Sequence, residues 1–301
     1  MTEQIRFVEV APRDGFQNWP DPVSTEVKEK LVRDLLAAGV ERVEATSFVS
    51  PKWVPQMADA EELLRRLGPQ LLPRLRVLVP NLTGFERARA AGATNVVVNV
   101  AATDGFNRKN LNRSVDETLA EIAAICEAAQ GSEMQVDGSL SVAWGCPYDG
   151  PVDRTRALAV IVKLVEAGCA KVSIADTIGV ADPDAVRLLC EDTLKVLPPD
   201  KVAVHFHDTR GLGVANVMAA LEAGVEEFEG SLGGIGGCPF APRSTGNVCS
   251  EDLLHMLELM GHRSGADMRR LLEVANWLEG ALGTPLPGKL HRAGLEPWVA
   301  S

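Results

Sequence analysis

Basic residues are in short supply: 30 Lys and Arg stand against 41 Asp and Glu in 301 residues, a formal charge of −11. A surface that acidic repels phosphodiester backbones and anionic headgroups. That excludes nucleic acid and a membrane as main partners, but not a small phosphorylated ligand held by a local basic segment. Long apolar runs are missing too, and none approaches the ~20 residues that a membrane-spanning helix needs. Residues 1–7 pass almost at once into an apolar strand-like run, with neither the apolar stretch of a signal peptide nor the arginine-rich character of a transit segment. The six cysteines (Cys126, Cys146, Cys169, Cys190, Cys238 and Cys249) show no paired metal-type spacing. In a chain this long, such scatter points to reduced thiols in the cytoplasm rather than a disulfide framework. Linkers and low-complexity segments are lacking as well, so residues 1–301 read as one domain.

What is present is a regular alternation. Hydrophobic residues make up 46 % of the chain, enough for a sizeable core. Strand-like runs occupy 5–10, 42–48, 74–79, 95–101, 135–143, 171–175, 202–206 and 227–232. Helical stretches lie between them near 26–38, 57–67, 83–91, 115–130, 153–167, 183–196, 213–223 and 250–260. Gly39, Gly92, Gly168 and Gly224 follow alanines at four helix ends, where glycine supplies the left-handed residue before the next strand. Ser24, Ser114 and Ser250 stand where N-caps belong, and Glu117 gives Ser114 a capping-box spacing. Eight strand–helix units predict an α/β fold, a (β/α)₈ TIM barrel, with an additional C-terminal helix at 264–281. A doubly wound open sheet would need a glycine-rich phosphate turn after strand one, and Ala11-Pro12-Arg13-Asp14-Gly15 is not that turn.

Polar residues at the C-terminal strand ends of such a barrel face the reaction site. Those ends carry Glu9, Arg13, Asp14, Gln17, Glu44, Ser47, Asp176, Thr177, His205, His207, the glycine-dense 233–237 before Cys238, and Asn247. His205 and His207 lie two apart on one strand, so both imidazoles project from the same face with Cα atoms ~6.6–7 Å apart. Such a pair serves equally as hydrogen-bonded core histidines or as two ligands of one ion. Asp14 and Asn247, on the same rim, favour the ion: two nitrogens and two oxygens leave two octahedral positions open, a set suited to Mg²⁺ or Mn²⁺. Arg13 is either a fixed charge beside the metal-bound oxygens or a plain ion pair. Cys238 is either a proton donor or a small buried hydrophobe. Arg108, Lys109, Asn110 and Arg113, in the loop after strand four, either anchor phosphate or form a solvated helix start. A Schiff-base aldolase is disfavoured, because Lys171 and Lys201 sit at strand beginnings.

Taken together, the segments Glu9-Val10-Ala11-Pro12-Arg13-Asp14-Gly15, Ser47-Phe48-Val49-Ser50-Pro51-Lys52-Trp53-Val54-Pro55-Gln56-Met57, His205-Phe206-His207-Asp208-Thr209 and Gly236-Gly237-Cys238-Pro239-Phe240-Ala241 resemble the 3-hydroxy-3-methylglutaryl-CoA lyase family. The resemblance runs from strand one to beyond Asn276. It implies a retro-Claisen cleavage to acetyl-CoA and acetoacetate, with a cation bound by Asp14, His205, His207 and Asn247. Arg13 would neutralise the enolate oxygen and Cys238 would take part in proton transfer, while Asp176, Glu44 and Glu9 complete the catalytic set. Lys109, Asn110, Arg108, Gln17 and Ser47 would hold coenzyme A. A homodimer is expected, with the C-terminal helix as its interface. A condensing synthase of the same superfamily and a non-catalytic CoA-binding barrel are the competing readings. The first commonly carries a further C-terminal region, and the second should lose a metal ligand or Arg13. The family pattern is departed from at Ser139 (usually Tyr), Trp144 (Leu), Ala175 (Gly), Glu229 (Asp), Phe240 (Tyr) and the Pro242-Arg243 pair. These changes are expected to gather around the acyl pocket and to alter the acyl group accepted, toward a longer branched glutaryl-CoA or citramalyl-CoA.

Overall fold

The structure, a computed structural model, describes residues 3–237 and 246–296. Eight strands run β1 Arg6–Glu9, β2 Arg42–Ser47, β3 Leu75–Leu78, β4 Asn95–Ala101, β5 Gln135–Ser141, β6 Val172–Asp176, β7 Val202–Phe206 and β8 Glu227–Gly230. They pair in chain order, every pair parallel, and β8 meets β1 to close a barrel. The expected (β/α)₈ architecture is therefore present. Around it lie α1 Thr25–Ala37, α2 Ala60–Leu67, α3 Leu82–Ala90, α4 Asp104–Leu111, α5 Val115–Ala129, α6 Arg154–Glu166, α7 Pro183–Leu194, α8 Gly213–Glu222 and α9 Ser250–Leu259, followed by α10 Met268–Leu282 and the single turn α11 Leu290–Ala293. No helix among the described residues is long and apolar enough to cross a membrane.

The local signals explain where elements begin and end. On α1, Leu31, Val32 and Leu35 are fully buried, each contributing about 1.5–3 kcal/mol by leaving water. Ser24 caps that helix by accepting from the Val27 amide, and Gly39 at φ +90° turns the chain toward β2. Ser114 and Glu117 form the full capping box of α5. Ser250 departs from expectation: it is the first residue of α9, preceded by Cys249, and its hydroxyl donates to Glu9 at 2.6 Å. The segment after β4 also differs, because residues 104–111 form α4, so Arg108, Lys109 and Asn110 sit on a helix rather than a loop.

Alternation along the strands separates two environments. Phe7, Val43, Val77, Val98, Ile174, Phe206 and Phe228 are buried in the layer against the helices. The interior of the barrel is polar by contrast, with Asp137 accepting hydrogen bonds from Asn95 and Gln135, and Arg6 and Lys171 both reaching Glu227. That polar interior opens upward into the site.

Candidate metal centre and acyl pocket

After β1 the chain makes one π turn at Ala11–Gly15, with Pro12 in its first positions where a missing N–H costs nothing. The Asp14 and Gly15 amides both donate to the Val10 carbonyl, at 2.7 and 3.3 Å, and this widened turn carries Arg13 and Asp14 over the barrel mouth. His205 on β7 and His207, one residue past its end, point the same way, their Nε2 atoms 3.3 Å apart. The Asp14 carboxylate lies 4.0 Å from His205 Nε2, and ligand atoms of all three residues fall within 4.8 Å of one another. Asn247 pairs with His207 through an isolated bridge and donates its amide to Asp14 at 2.8 Å and to the Ile235 carbonyl at 3.1 Å. Its buried Oδ1 has no partner, a state that costs ~1–3 kcal/mol unless a donor or a cation engages it. Two imidazole nitrogens, a carboxylate and an orphaned amide oxygen thus fit one hard divalent cation.

Electrostatics agree with that fit. Burial opposes ionisation of Asp14, yet Arg13, His205, His207 and the Asn247 hydrogen bond together hold it well below the usual carboxylate range. Burial, aided by the charge of His205, pushes His207 down to about 3, so its ring is neutral with a lone pair to give. For His205 burial pulls downward, but the hydrogen bond and charge of Glu229 raise it. Gly236 permits the packing: at φ +128°, a Cβ there would sit 2.3 Å from Asn247 Nδ2.

Beneath these groups runs a closed circuit of charge. Arg13 bonds both Asp14 and one oxygen of Glu44. Arg76 bonds the other Glu44 oxygen and lies 2.9 Å from Glu229. Glu229 accepts from His205 Nδ1 at 3.1 Å, which fixes the ring orientation that turns Nε2 toward Asp14 and His207.

The HMGL-like family model matches residues 4–278. The chain belongs to the HMGL-like family. It is 42 % identical over 295 residues to mitochondrial hydroxymethylglutaryl-CoA lyase of Homo sapiens, covering 97 % of this chain and 90 % of that protein. It is 41 % identical over 310 residues to (R)-citramalyl-CoA lyase of Chloroflexus aurantiacus, covering 99 % and 98 %. Among solved structures, an HMG-CoA lyase from Acinetobacter baumannii in complex with coenzyme A and 3-methylmalate superposes with a TM-score of 0.94 at 35 % identity, covering 99 % and 98 % of the two chains. The carboxyl transferase domain of Rhizobium etli pyruvate carboxylase, at 18 % identity and a TM-score of 0.72, shares the fold.

In this member of the HMGL-like family a cavity of about 720 Å³ opens above the charged circuit. Arg13, Asp14, Glu44, His205 and His207 line its inner part, Gln17 stands at one side, and Lys109, Asn110 and Arg113 edge its mouth. Arg108 is exposed and does not line it. Three further expected site residues are placed elsewhere. Glu9 accepts from the Ala11 and Leu232 amides and from Ser250, tying three segments together beneath the rim. Asp176 accepts from the Val180 and Ala181 amides and so caps its own loop. The Ser47 hydroxyl donates to the Leu78 carbonyl at 3.3 Å. For Glu9 and Asp176 the reason is parity: they pair with Gly230 and Phe206, one residue from the inward-facing Glu229 and His205. Cys238, Phe240 and the Pro242-Arg243 pair lie outside the described residues. Of the departures from the family pattern, Ser139, Ala175 and Glu229 do line the cavity. Trp144 does not; its indole donates to the Ala185 carbonyl and packs on Phe206. Arg76 and Asn99 were missed, although a charged or amide residue inside an apolar strand was the available signal.

Proposed function

We propose that the protein cleaves 3-hydroxy-3-methylglutaryl-CoA, or a close 3-hydroxyacyl-CoA, to acetyl-CoA and acetoacetate by a retro-Claisen reaction. The observation that carries this reading is the convergence of Asp14, His205, His207 and the orphaned Asn247 oxygen at the mouth of a barrel of this family. These four residues would hold Mg²⁺ or Mn²⁺, which when bound supplies Lewis-acid polarisation of the substrate's hydroxyl and carboxylate oxygens. In the reaction the C3 hydroxyl loses its proton and the C2–C3 bond breaks. The electron pair passes to the acetyl-CoA fragment, whose enolate is then protonated. Arg13, held by Glu44 and Asp14, is a pre-oriented cation for the enolate oxygen and needs no rearrangement as charge develops. We assign Cys238 to proton transfer on the family resemblance, and Lys109, Asn110 and Gln17 to coenzyme A from their place around the cavity. Glu44 acts as a positioning residue, since both of its oxygens are engaged by guanidinium groups. A homodimer through α10 and a cytoplasmic location complete the proposal. The first rests on the expected role of the C-terminal helix; the second is supported by the free thiols of Cys126, Cys146, Cys169, Cys190 and Cys249.

Cleavage of citramalyl-CoA is the second reading, favoured by the near-equal identity to the citramalyl-CoA lyase. The test is turnover of EDTA-stripped protein on both thioesters before and after Mg²⁺ or Mn²⁺, with acetoacetate and pyruvate as distinguishing products. Metal-restored release of acetoacetate is expected. In Arg13→Lys turnover should fall about 10²–10³-fold while metal affinity stays within a factor of two. Metal binding without cleavage of either thioester would overturn the assignment.

A further inference from the structure

The cavity has two chemically different sides. The candidate ion ligands come from the turn after β1, the end of β7 and the segment after β8, and Arg13 and Arg76 line the same side. Across the barrel, β4 and β5 contribute Asn99, Ser139 and Ser141 to the lining. The Asn99 amide group donates to Ser141 Oγ at 2.8 Å and to Ser139 Oγ at 3.5 Å. This leaves Asn99 Oδ1 as a buried acceptor with no partner. Each serine uses a lone pair on Asn99 and keeps its own O–H to donate. The wall therefore offers one acceptor beside two donors, the complement of a hydroxyl group.

An acyl chain gripped at the Asp14–His205 end must present its remaining C3 substituent to this opposite wall. A hydroxyl there would give the already buried Asn99 Oδ1 the donor it lacks, whereas a methyl group would leave it unpaired, and a site built to hydrogen-bond a hydroxyl discriminates against an analogue that lacks one. A second carboxylate is no better served. The wall itself carries no cationic side chain, so an anion beside Asn99 Oδ1 would meet its lone pairs with no charge of opposite sign among Asn99, Ser139 and Ser141.

We propose that Asn99, Ser139 and Ser141 form a specificity wall that selects a 3-hydroxyglutaryl-type CoA thioester whose C3 substituent carries a hydroxyl. This rests on the lyase reading above and changes the substrate, not the reaction. With 3-hydroxy-3-(hydroxymethyl)glutaryl-CoA the C3 hydroxyl loses its proton, the C2–C3 bond breaks, and its electron pair passes to C2, which takes up a proton. The products are acetyl-CoA and 4-hydroxy-3-oxobutanoate, and no co-reactant is consumed.

The experiment compares kcat/KM of the full-length Mg²⁺-loaded protein on this thioester and on 3-hydroxy-3-methylglutaryl-CoA. The hydroxymethyl compound should be preferred roughly tenfold or more. Asn99→Leu should bring the ratio to about one or below, and Ser139→Ala, a milder change that keeps the backbone untouched, should lower it part-way. Wild-type preference for the methyl thioester, or a ratio that Asn99→Leu leaves unmoved, overturns the wall and leaves the lyase reading standing. Failure to cleave either thioester, with Mg²⁺ binding intact by calorimetry, removes the lyase reading and this inference with it.

Discussion

Arg76→Met tests whether the charged circuit is a structural necessity. Arg76 is 4 % exposed and serves two buried carboxylates, bonding Glu44 and approaching Glu229 to 2.9 Å. Methionine keeps much of the apolar stem, so the loss is chiefly the charge. Glu44 would then have Arg13 alone and Glu229 would have His205 alone, each inside a desolvated floor. Breaking a buried ion pair by removing one partner costs about 3–5 kcal/mol, because the charge left behind is uncompensated. For a chain of this size that corresponds to a fall in Tm of roughly 6–10 °C. Arg65 is the control: it bonds Glu62 at 2.7 Å, yet its side chain is 71 % exposed, and such pairs contribute about 0–1 kcal/mol. Thermal unfolding at pH 7 in EDTA measures both. A second readout is Mn²⁺ affinity, which should weaken about 10–100-fold as Glu229 ceases to hold His205 in place. Adding Glu229→Gln should recover part of the stability by removing the stranded charge. If Arg76→Met melts no lower than Arg65→Ala, the circuit is incidental and the reasoning fails.

Two further perturbations probe the rim. Burial pushes Glu9 up to about 7 against the hydrogen bonds from Ser250, Ala11 and Leu232, and the neighbouring Glu251 charge adds to the shift. Its folded pKa lies above the ordinary 4.5, so the stabilisation is full below pH 4.5 and is lost as pH rises through about 7. Glu9→Gln retains an acceptor for the two amides and cannot ionise. Its Tm should therefore gain on wild type between those pH values, and a gap that stays constant across the range would remove the assignment. Gly236→Ala would force a Cβ to within 2.3 Å of Asn247 Nδ2. Mn²⁺ affinity, followed by calorimetry, should fall at least about tenfold; an unchanged value would show that Asn247 is not a ligand.

The barrel was legible because each unit carries its own punctuation. Residues 95–101 read as a strand and form one, and Gly168 at φ +105° ends α6 as its position after Ala167 suggests. Helix α4 was hidden by composition: 104–111 is rich in polar residues, although Thr103 caps its start and Asn112 at φ +55° ends it. The convergence of His205 and His207 was legible because His-x-His spacing on a strand has one geometric outcome. Glu9 and Asp176 do not line the cavity for the same reason in reverse, since a period of two turns a shift of one residue at a strand end into the opposite face. Arg76 escaped because its partners come from other strands, and spacing along a chain says nothing about which strands become neighbours.

Strand parity also explains why this barrel tolerates a charged interior where branched apolar layers usually fill the space. Asp14, Glu44 and Glu229 set three negative charges against the two of Arg13 and Arg76, so once His205 gives up its proton, as ligation of an ion requires, the circuit carries one net negative charge. A divalent cation at Asp14, His205, His207 and Asn247 would reverse that sign to a net positive one. An acyl group bearing a free carboxylate then restores neutrality, whereas the same group as an ester or amide would leave a buried positive charge unmatched. On this argument the free carboxylate of the thioester is a requirement of the charged floor as a whole. Methyl esterification of 3-hydroxy-3-methylglutaryl-CoA should accordingly abolish binding to the metal-loaded protein.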